Sequence, residues 1–476
     1  MESWALDALD QLSQFIHALE SDSLPADISS KVKACLLYGL AVGIGARGSR
    51  HPRAALAATE DQQSAAGFGA TTLLGATKRA AGAAAFCNAA LFHARIQEDA
   101  HPAGHMGVVV IPAALAVCEE ANANGRTLLC SIVAGYETAL RIGRAHSADL
   151  SLRGFRTTSA YGPIGAAAAA SRARHLPRET VASALALAAN FAGGLREFVD
   201  AGSDEFPFQA GFAAQGGILA AALSMQGVLA APTTLSGRAG FFRAFGRDDQ
   251  DYESSMLADL GETFEFSRIT YKPYPACQFL RGVIRGAAEL SAGVQGSLRG
   301  MRIRLNPFES EFVGIRYAGP FERFPQTFMS ARFCAALAWS RGSVTFAGLH
   351  DFNAADVLSL IPRMEIEADA GRPRYRPRLE VVTADGRLAA WEETEGEDAY
   401  RLDWQAAAAM ARSIAGETNM PPGLIDNLIG IVSDIEQAKS IGPLVAAAAA
   451  ACQSPDQTPR SKARAGRTSV KTPFTA

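Results

Sequence analysis

The chain has 476 residues, 48% of them hydrophobic and 20% charged, with a formal net charge of -3. That length exceeds what one core usually serves, so two domains are expected. The near-balanced charge excludes a global basic field for nucleic acid, and the composition is that of an ordinary soluble globular protein. Seven cysteines, at 35, 87, 118, 130, 277, 334 and 452, form no CxxC pair and sit in apolar context. They read as reduced, buried thiols of a cytoplasmic protein. The N-terminus lacks the basic region of a secretory signal. The alanine runs 166–170 and 446–451 are too short to span a bilayer, so no membrane partner is expected.

In chain order, residues 3–20 predict an amphipathic helix, with Ala5, Leu9, Leu12, Ile16 and Leu19 on one stripe. Val32–Ile44 predicts an apolar helix that breaks at 47–52, followed by a helix over 53–66. Residues 68–75 read as a short extended or turn segment, and Ala80–Phe92 returns to helix. Ile111–Ala121 and Thr127–Ala145 predict a helical hairpin turning at Asn124-Gly125. Leu152–Gly165 reads as a glycine-bounded loop. Ala166–Arg174, Thr180–Ala192 and Phe212–Met225 are predicted helices rich in small residues, as in the middle of a large bundle.

The texture changes near Thr263. Met301–Leu305 alternates as a half-buried strand does, and Phe312–Tyr317 is a second strand candidate. Leu379–Leu388 predicts two strands around an Asp-Gly turn. Gln278–Leu290 and Ser330–Trp339 look helical, as do Trp404–Ile414 and Leu424–Lys439. The fold class is therefore mostly α: a large all-helical domain over 1–262, completed by 402–452, and a smaller α+β domain over 263–401. Residues 453–476, rich in Pro, Ser, Thr and basic groups, predict a disordered tail.

The densest polar stretch is His93–Glu120, HARIQEDAHPAGHMGVVVIPAALAVCEE. Three of the eight histidines and the acidic pair Glu98-Asp99 run straight into an apolar helix. Titratable groups against a rigid, low-dielectric support are what proton transfer needs. The plain alternative is a solvated polar loop capping a core helix. His101 and His105 are spaced i, i+4 with Asp99 nearby, as in some metal sites. Pro102 and Gly104 interrupt that helix and no third ligand stands at set spacing, so no metal is assigned. Cys87 and Ser159 lack a nucleophile elbow, and the glycine pairs follow loops rather than strands, unlike dinucleotide fingerprints.

The order of motifs resembles the MmgE/PrpD family, which includes 2-methylcitrate dehydratase, cis-aconitate decarboxylase and iminodisuccinate epimerase. The resemblance is carried by Asn88 with His93, Glu98-Asp99, His105 before Ile111-Pro112-Ala113, and Gly135-Tyr136-Glu137. It continues through Arg153-Gly154-Phe155, Gly162 to Gly165-Ala166-Ala167, Gly211-Phe212-Ala213-Ala214 with Gly217, and Tyr271-Lys272-Pro273-Tyr274-Pro275.

The resemblance implies a large helical domain with a smaller α+β lid, a homodimer, a site in the cleft between them, and no cofactor. It further implies His105, Lys272, Tyr317 and Asp99 as catalytic residues. Arg156, Glu98, His101 and Gln209 become candidate substrate contacts. Three positions depart from the family pattern. An aspartate expected before the acidic pair is Ile96 or Arg95, a histidine is Arg156, and a lysine is Phe206.

The expected activity is proton abstraction next to a carboxylate of a small di- or tricarboxylate, with a 2-methylcitrate dehydratase-like hydro-lyase foremost. Decarboxylation and epimerisation are the alternatives, as is a catalytically silent binding role, in which Phe206 and Phe208 would fill the pocket. Bland roles are open too: His105 as a helix cap, Lys272 as an exposed lysine, Tyr317 on an edge strand, and Arg156 paired with Glu197 or Asp200.

Overall fold

The computed structural model describes residues 8–62 and 68–455. Trp4, Ala5 and Leu6 of the first predicted helix, and 456–476 of the predicted tail, lie outside the described residues. The first helix, α1 (Ala8–Ala18), buries Leu9, Leu12 and Ile16 on the predicted stripe. Next, α2 (Ala26–Gly45) is long and apolar enough to cross a membrane by composition, yet most of it is buried inside the fold, as befits a core helix. Arg50 opens α3 (Arg50–Ala58), three residues earlier than the pattern placed it. A small hairpin of β1 (Ala70–Thr72) and β2 (Thr77–Arg79) follows.

Two helices flank the polar stretch: α4 (Ala81–His93) and α5 (Gly107–Glu120), the latter buried from Gly107 to Cys118. The start of α6 (Gly125–Leu152) is capped by Asn124, whose side chain accepts the Thr127 N–H at 2.8 Å. The predicted loop 152–165 is largely α7 (Thr157–Ala173). Its glycines serve close packing rather than turning: a Cβ on Gly165 would lie 2.8 Å from the Gly135 carbonyl oxygen of α6. After α8 (Arg178–Ala189) and the single turn α9 (Phe198–Ala201) comes α10 (Phe206–Met225). It crosses α7 closely, since a Cβ on Gly217 would stand 2.3 Å from the Pro163 oxygen.

The four-stranded sheet has the order β4-β3-β5-β6. Its strands are β3 (Leu298–Leu305), β4 (Met364–Ala368), β5 (Arg378–Thr383) and β6 (Leu388–Glu392). β3 runs parallel to β4 and antiparallel to β5, and β5 and β6 form the expected hairpin. The strand predicted at 312–317 is instead a set of turns. The Ile315 N–H bonds to Phe312 and the Tyr317 N–H to Gly314, whose φ of 84° breaks the extended path. β4 was missed although Met364-Glu365-Ile366-Glu367-Ala368 alternates.

Buried apolar residues fall into two large clusters. The first draws on α1, α2, α4 to α8 and α10 and on the helices Trp404–Glu417, Pro422–Ser433 and Gly442–Gln453. The second is built from the sheet, the helices Arg281–Gly293 and Ala331–Arg341, and the residues Ile96, Phe198 and Phe206. All seven cysteines are buried free thiols. Gln453, placed in the tail, closes the last helix.

Candidate active site

The loop between α4 and α5 lies where the two clusters meet. Phe92 and Ala94 belong to the first cluster and Ile96 to the second. The segment around Lys272 is bound to this loop through the paired backbones of Ala100 and Thr270. Tyr38 of α2 ties them again. Its hydroxyl sits between the carbonyls of Gln97 and Lys272, 2.7 Å from the latter, and accepts the Lys272 N–H at 3.3 Å. Ile96 holds a φ of 56°, an uncommon conformation for a branched residue, and its carbonyl accepts from Lys272 Nζ at 3.1 Å.

Glu98 is the hub. Lys272 Nζ donates to its Oε1 at 2.5 Å, and both side chains are buried. His93 Nδ1 lies 3.2 Å from Oε2, off the hydrogen-bond direction, so both atoms keep bonding capacity unused. His105 Nδ1 is 3.7 Å from Oε1. Burial pushes the Glu98 carboxyl up, but Lys272, His93 and His105 outweigh it and hold it well below the usual carboxylate range. Glu98 is thus a buried carboxylate paired with a buried ammonium, not a solvated loop acid, and Lys272 is not the exposed lysine of the plain reading. Behind Glu98 and Asp99 lies only a void of about 10 Å³, at the lower limit for one water.

His105 does not act merely as a helix cap. Its Nδ1 lies 2.7 Å from the Asp99 carbonyl oxygen, which can only accept, so Nδ1 carries the proton and Nε2 the lone pair. Its backbone N–H donates to Thr158 Oγ1 at 3.1 Å, which sets the ring's position against α7. Burial, with Lys272 beside it, pulls the imidazole down to about 3. His93 is pulled down to about 4, chiefly by burial. Both rings are neutral near pH 7. The His105 side chain keeps 19% of its surface exposed, more than Glu98 or Lys272.

The Asp99 carboxyl faces away from both rings. It accepts from Tyr136 Oη at 2.6 Å and from the Gly107 N–H at 3.2 Å, at the start of α5. Burial pushes it up to about 6. The residue that orients His105 is Asp99, but through its backbone.

Arg156 closes the histidine side from the start of α7. Its guanidinium contacts His93 Nε2, which must then accept, leaving the His93 proton on Nδ1 toward Glu98. It also donates to the Phe206 carbonyl at 2.8 Å and to Gln209 Oε1 at 3.3 Å. Gln209 is held by its own bond to the Leu195 carbonyl at 2.9 Å and by Ser159 Oγ at 3.3 Å. These partners replace the Glu197 or Asp200 pairing of the plain reading. Phe206 is fully buried with its ring 5.3 Å from that of His93, edge to face. Phe208 points elsewhere, onto His51 and Phe86.

A model of the MmgE/PrpD N-terminal domain matches residues 10–253, more than half of the chain and all of the helices that carry this site. The chain belongs to the MmgE/PrpD family. It is 28% identical over 293 residues to a cis-aconitate decarboxylase of Aspergillus terreus, covering 58% of each chain. It is 28% identical to a cis-aconitate decarboxylase-like protein, oryM, of Aspergillus oryzae, over 59% of this chain and 61% of that one. A human cis-aconitate decarboxylase is 27% identical over 60% of this chain and 61% of its own. The matched segment spans about three-fifths of these relatives' length.

In this MmgE/PrpD protein, two expected site residues stand apart from the hub. His101 Nε2 lies 3.1 Å from Glu265 Oε2, and its Nδ1 accepts the Ala103 N–H, so the ring braces the loop. Tyr317 lines a separate cavity of about 250 Å³ with Val199, Asp200, Glu311 and Arg316. Its hydroxyl donates to the Pro320 carbonyl at 2.5 Å. Three contributors were not among the expected site residues: His93, Tyr38 and Tyr136. His93 carried a signal, as a histidine five residues before an acidic pair at a helix end. Tyr136 stood in the Gly135-Tyr136-Glu137 motif of the resemblance with no role attached to it, and Tyr38 carried no signal, because it sits inside an apolar helix.

Proposed function

We propose that this protein is a lyase acting on a small di- or tricarboxylate, by proton transfer at the carbon next to a carboxylate. The carrying observation is the Lys272–Glu98–His93 network with His105 and Arg156 beside it. Arg156 supplies a planar fork for a carboxylate. Lys272 stabilises the enolate-like charge that develops, in a dry setting where that charge counts most. His105 Nε2 is the proton carrier. The site would lie between a helical domain and an α+β lid, a reading supported by the loop's position where the two apolar clusters meet.

Decarboxylation is the first reading, because the relatives are cis-aconitate decarboxylases. The bond to the departing carboxylate breaks, its electron pair passes into the carbon skeleton as CO2 leaves, and a proton is delivered to carbon. Dehydration of the 2-methylcitrate type is the second reading, and the neutral His105 with its lone pair on Nε2 favours it. There the proton is removed at carbon and hydroxide departs.

The test incubates the protein with cis-aconitate, citrate and 2-methylcitrate in deuterated buffer, wild type beside His105→Ala, and follows products by NMR. The expected result is turnover with deuterium next to a carboxylate, reduced at least about 100-fold in the variant. Turnover undiminished in the variant removes His105 from its role. No turnover or exchange with any acid overturns the lyase reading. It would favour the binding-only role, for which Phe206 beside His93 speaks.

A further inference from the structure

The helix that carries Phe206 and Gln209 also turns an apolar face to solvent. On α10, Phe212, Leu219 and Leu223 recur at helical spacing and are 62%, 47% and 36% exposed. The chain just past α10 adds Met225, Val228 and Leu229, the last 86% exposed. Ahead of the helix, Phe191 and Leu195 are half exposed. They join the same face. A Cβ on Gly216, between Phe212 and Leu219, would lie 3.0 Å from Phe191 Cγ, and the Leu195 carbonyl accepts from Gln209. Among the described residues, the other exposed large hydrophobic side chains, Phe68, Leu152, Phe308 and Leu388, lie on other segments.

The face carries no charge. No Asp, Glu, Lys, Arg or His occurs from Phe206 to Gly237. The charges just before it are Arg196 against Glu197, Asp200, Asp204 and Glu205. An anionic membrane would want a basic rim, and this one is acidic. A partner recognised by charge finds nothing on the face to pair with.

Its size suits a protein partner. Taking about 150–200 Å² for a large side chain, the eight exposures leave roughly 600–800 Å² of apolar surface. The largest patch on a typical monomer is about 300–600 Å². Each partner of a stable complex buries about 800 Å².

We propose that a second copy of this chain docks on the α10 face, about a twofold axis. An isologous interface sets the same patch on both sides, so an uncharged apolar face is its own complement. The resemblance implied a homodimer without assigning a surface. This face is that surface, and it is tied to the candidate site. The Gly194 carbonyl accepts the Arg156 N–H at 2.9 Å, and the Gly154 carbonyl accepts the Arg196 N–H at 3.0 Å. Gln209 bonds both Leu195 and Arg156. Covering Phe191 and Leu195 fixes the segment that holds Arg156 against His93. None of this depends on the reaction proposed above.

Sedimentation velocity of the full chain tests the surface. The expected result is a species of twice the chain's mass, whose dissociation constant Phe212→Glu raises at least about 30-fold. Leu388→Glu, on the exposed edge of β6, leaves it intact. Hydrogen exchange tests the tie to the site: the Arg156 and Arg196 amides exchange at least about tenfold faster in Phe212→Glu than in the wild type.

Should Phe212→Glu fail to fold, Leu219→Glu decides, on the same face. A wild-type monomer, or a dimer that neither glutamate weakens, overturns the inference. A dimer that Phe212→Glu breaks with both amides unaltered overturns the bracing of Arg156.

Discussion

Lys272 and Glu98 are 2% and 3% exposed, so neither has water to fall back on. Removing one partner strands the other charge in a dry site, at about 3–5 kcal/mol. Lys272→Met is expected to lower stability by that amount in urea unfolding, and Glu98→Gln by a similar amount. The double variant should cost clearly less than the sum, because the stranded charge disappears. Additive losses would mean that the two residues act separately. The residue types of this site were readable because three histidines and two acids crowd before an apolar helix. Their directions were not. Asp99 turns its carboxyl to Tyr136 and Gly107 and its carbonyl to His105, an arrangement set by the start of α5 rather than by spacing. Tyr317 was placed at the site on a strand that the structure replaces with turns at Gly314.

Among the elements, the crossing of α6 and α7 shows what small residues do here. A Cβ on Gly135 would lie 2.6 Å from Val110 Cγ1 and 2.7 Å from the Gly165 oxygen. Gly135→Ala therefore forces the helices apart, at about 1–3 kcal/mol. Gly165→Ala should cost about as much, and the pair less than the sum, since one displacement relieves both. Urea unfolding of the single and double variants checks this, and strict additivity would show two independent sites. The same glycines explain why 157–165 was read as a loop: in sequence, a glycine that turns the chain and one that admits a neighbouring backbone look alike. β4 was passed over for the opposite reason. Five alternating residues are a weak signal, and its pairing partner β3 lies some sixty residues away.

For the whole molecule, buried titratable groups predict acid sensitivity. His51, His93 and His146 are depressed to about 4 and His105 to about 3, in each case chiefly by burial. An unfolded histidine takes its proton near pH 6.5, so between about 6.5 and 4 the unfolded state binds more protons. Stability then falls as pH falls, by about 1.4 kcal/mol per unit for each such group. Asp99 and Glu309, raised by burial to about 6 and about 7, work in the opposite sense between about pH 4 and those values. The histidines outnumber them, so the net trend is a loss in acid. His146 is remote from the site, packed by Phe241, Phe242 and Tyr252. His146→Phe should flatten the slope between pH 4.5 and 6 by about 1.4 kcal/mol per unit, measured by urea unfolding across that range. An unchanged slope would show that His146 is already protonated in the fold.

The sequence by itself determined the mostly helical character, the hairpin of β5 and β6, the buried thiols, the family, and the stretch that holds the site. Each of these rests on periodicity, composition or local order, which the chain carries along its length. Only the tertiary structure decided that Lys272, 174 positions from Glu98, meets it in the dry interior. It alone set which nitrogen of His105 carries a proton and placed Phe206 against His93. Those facts depend on which helices lie side by side and how closely. Contacts between distant residues leave no period in the sequence, and a buried charge differs from a solvated one only by what surrounds it.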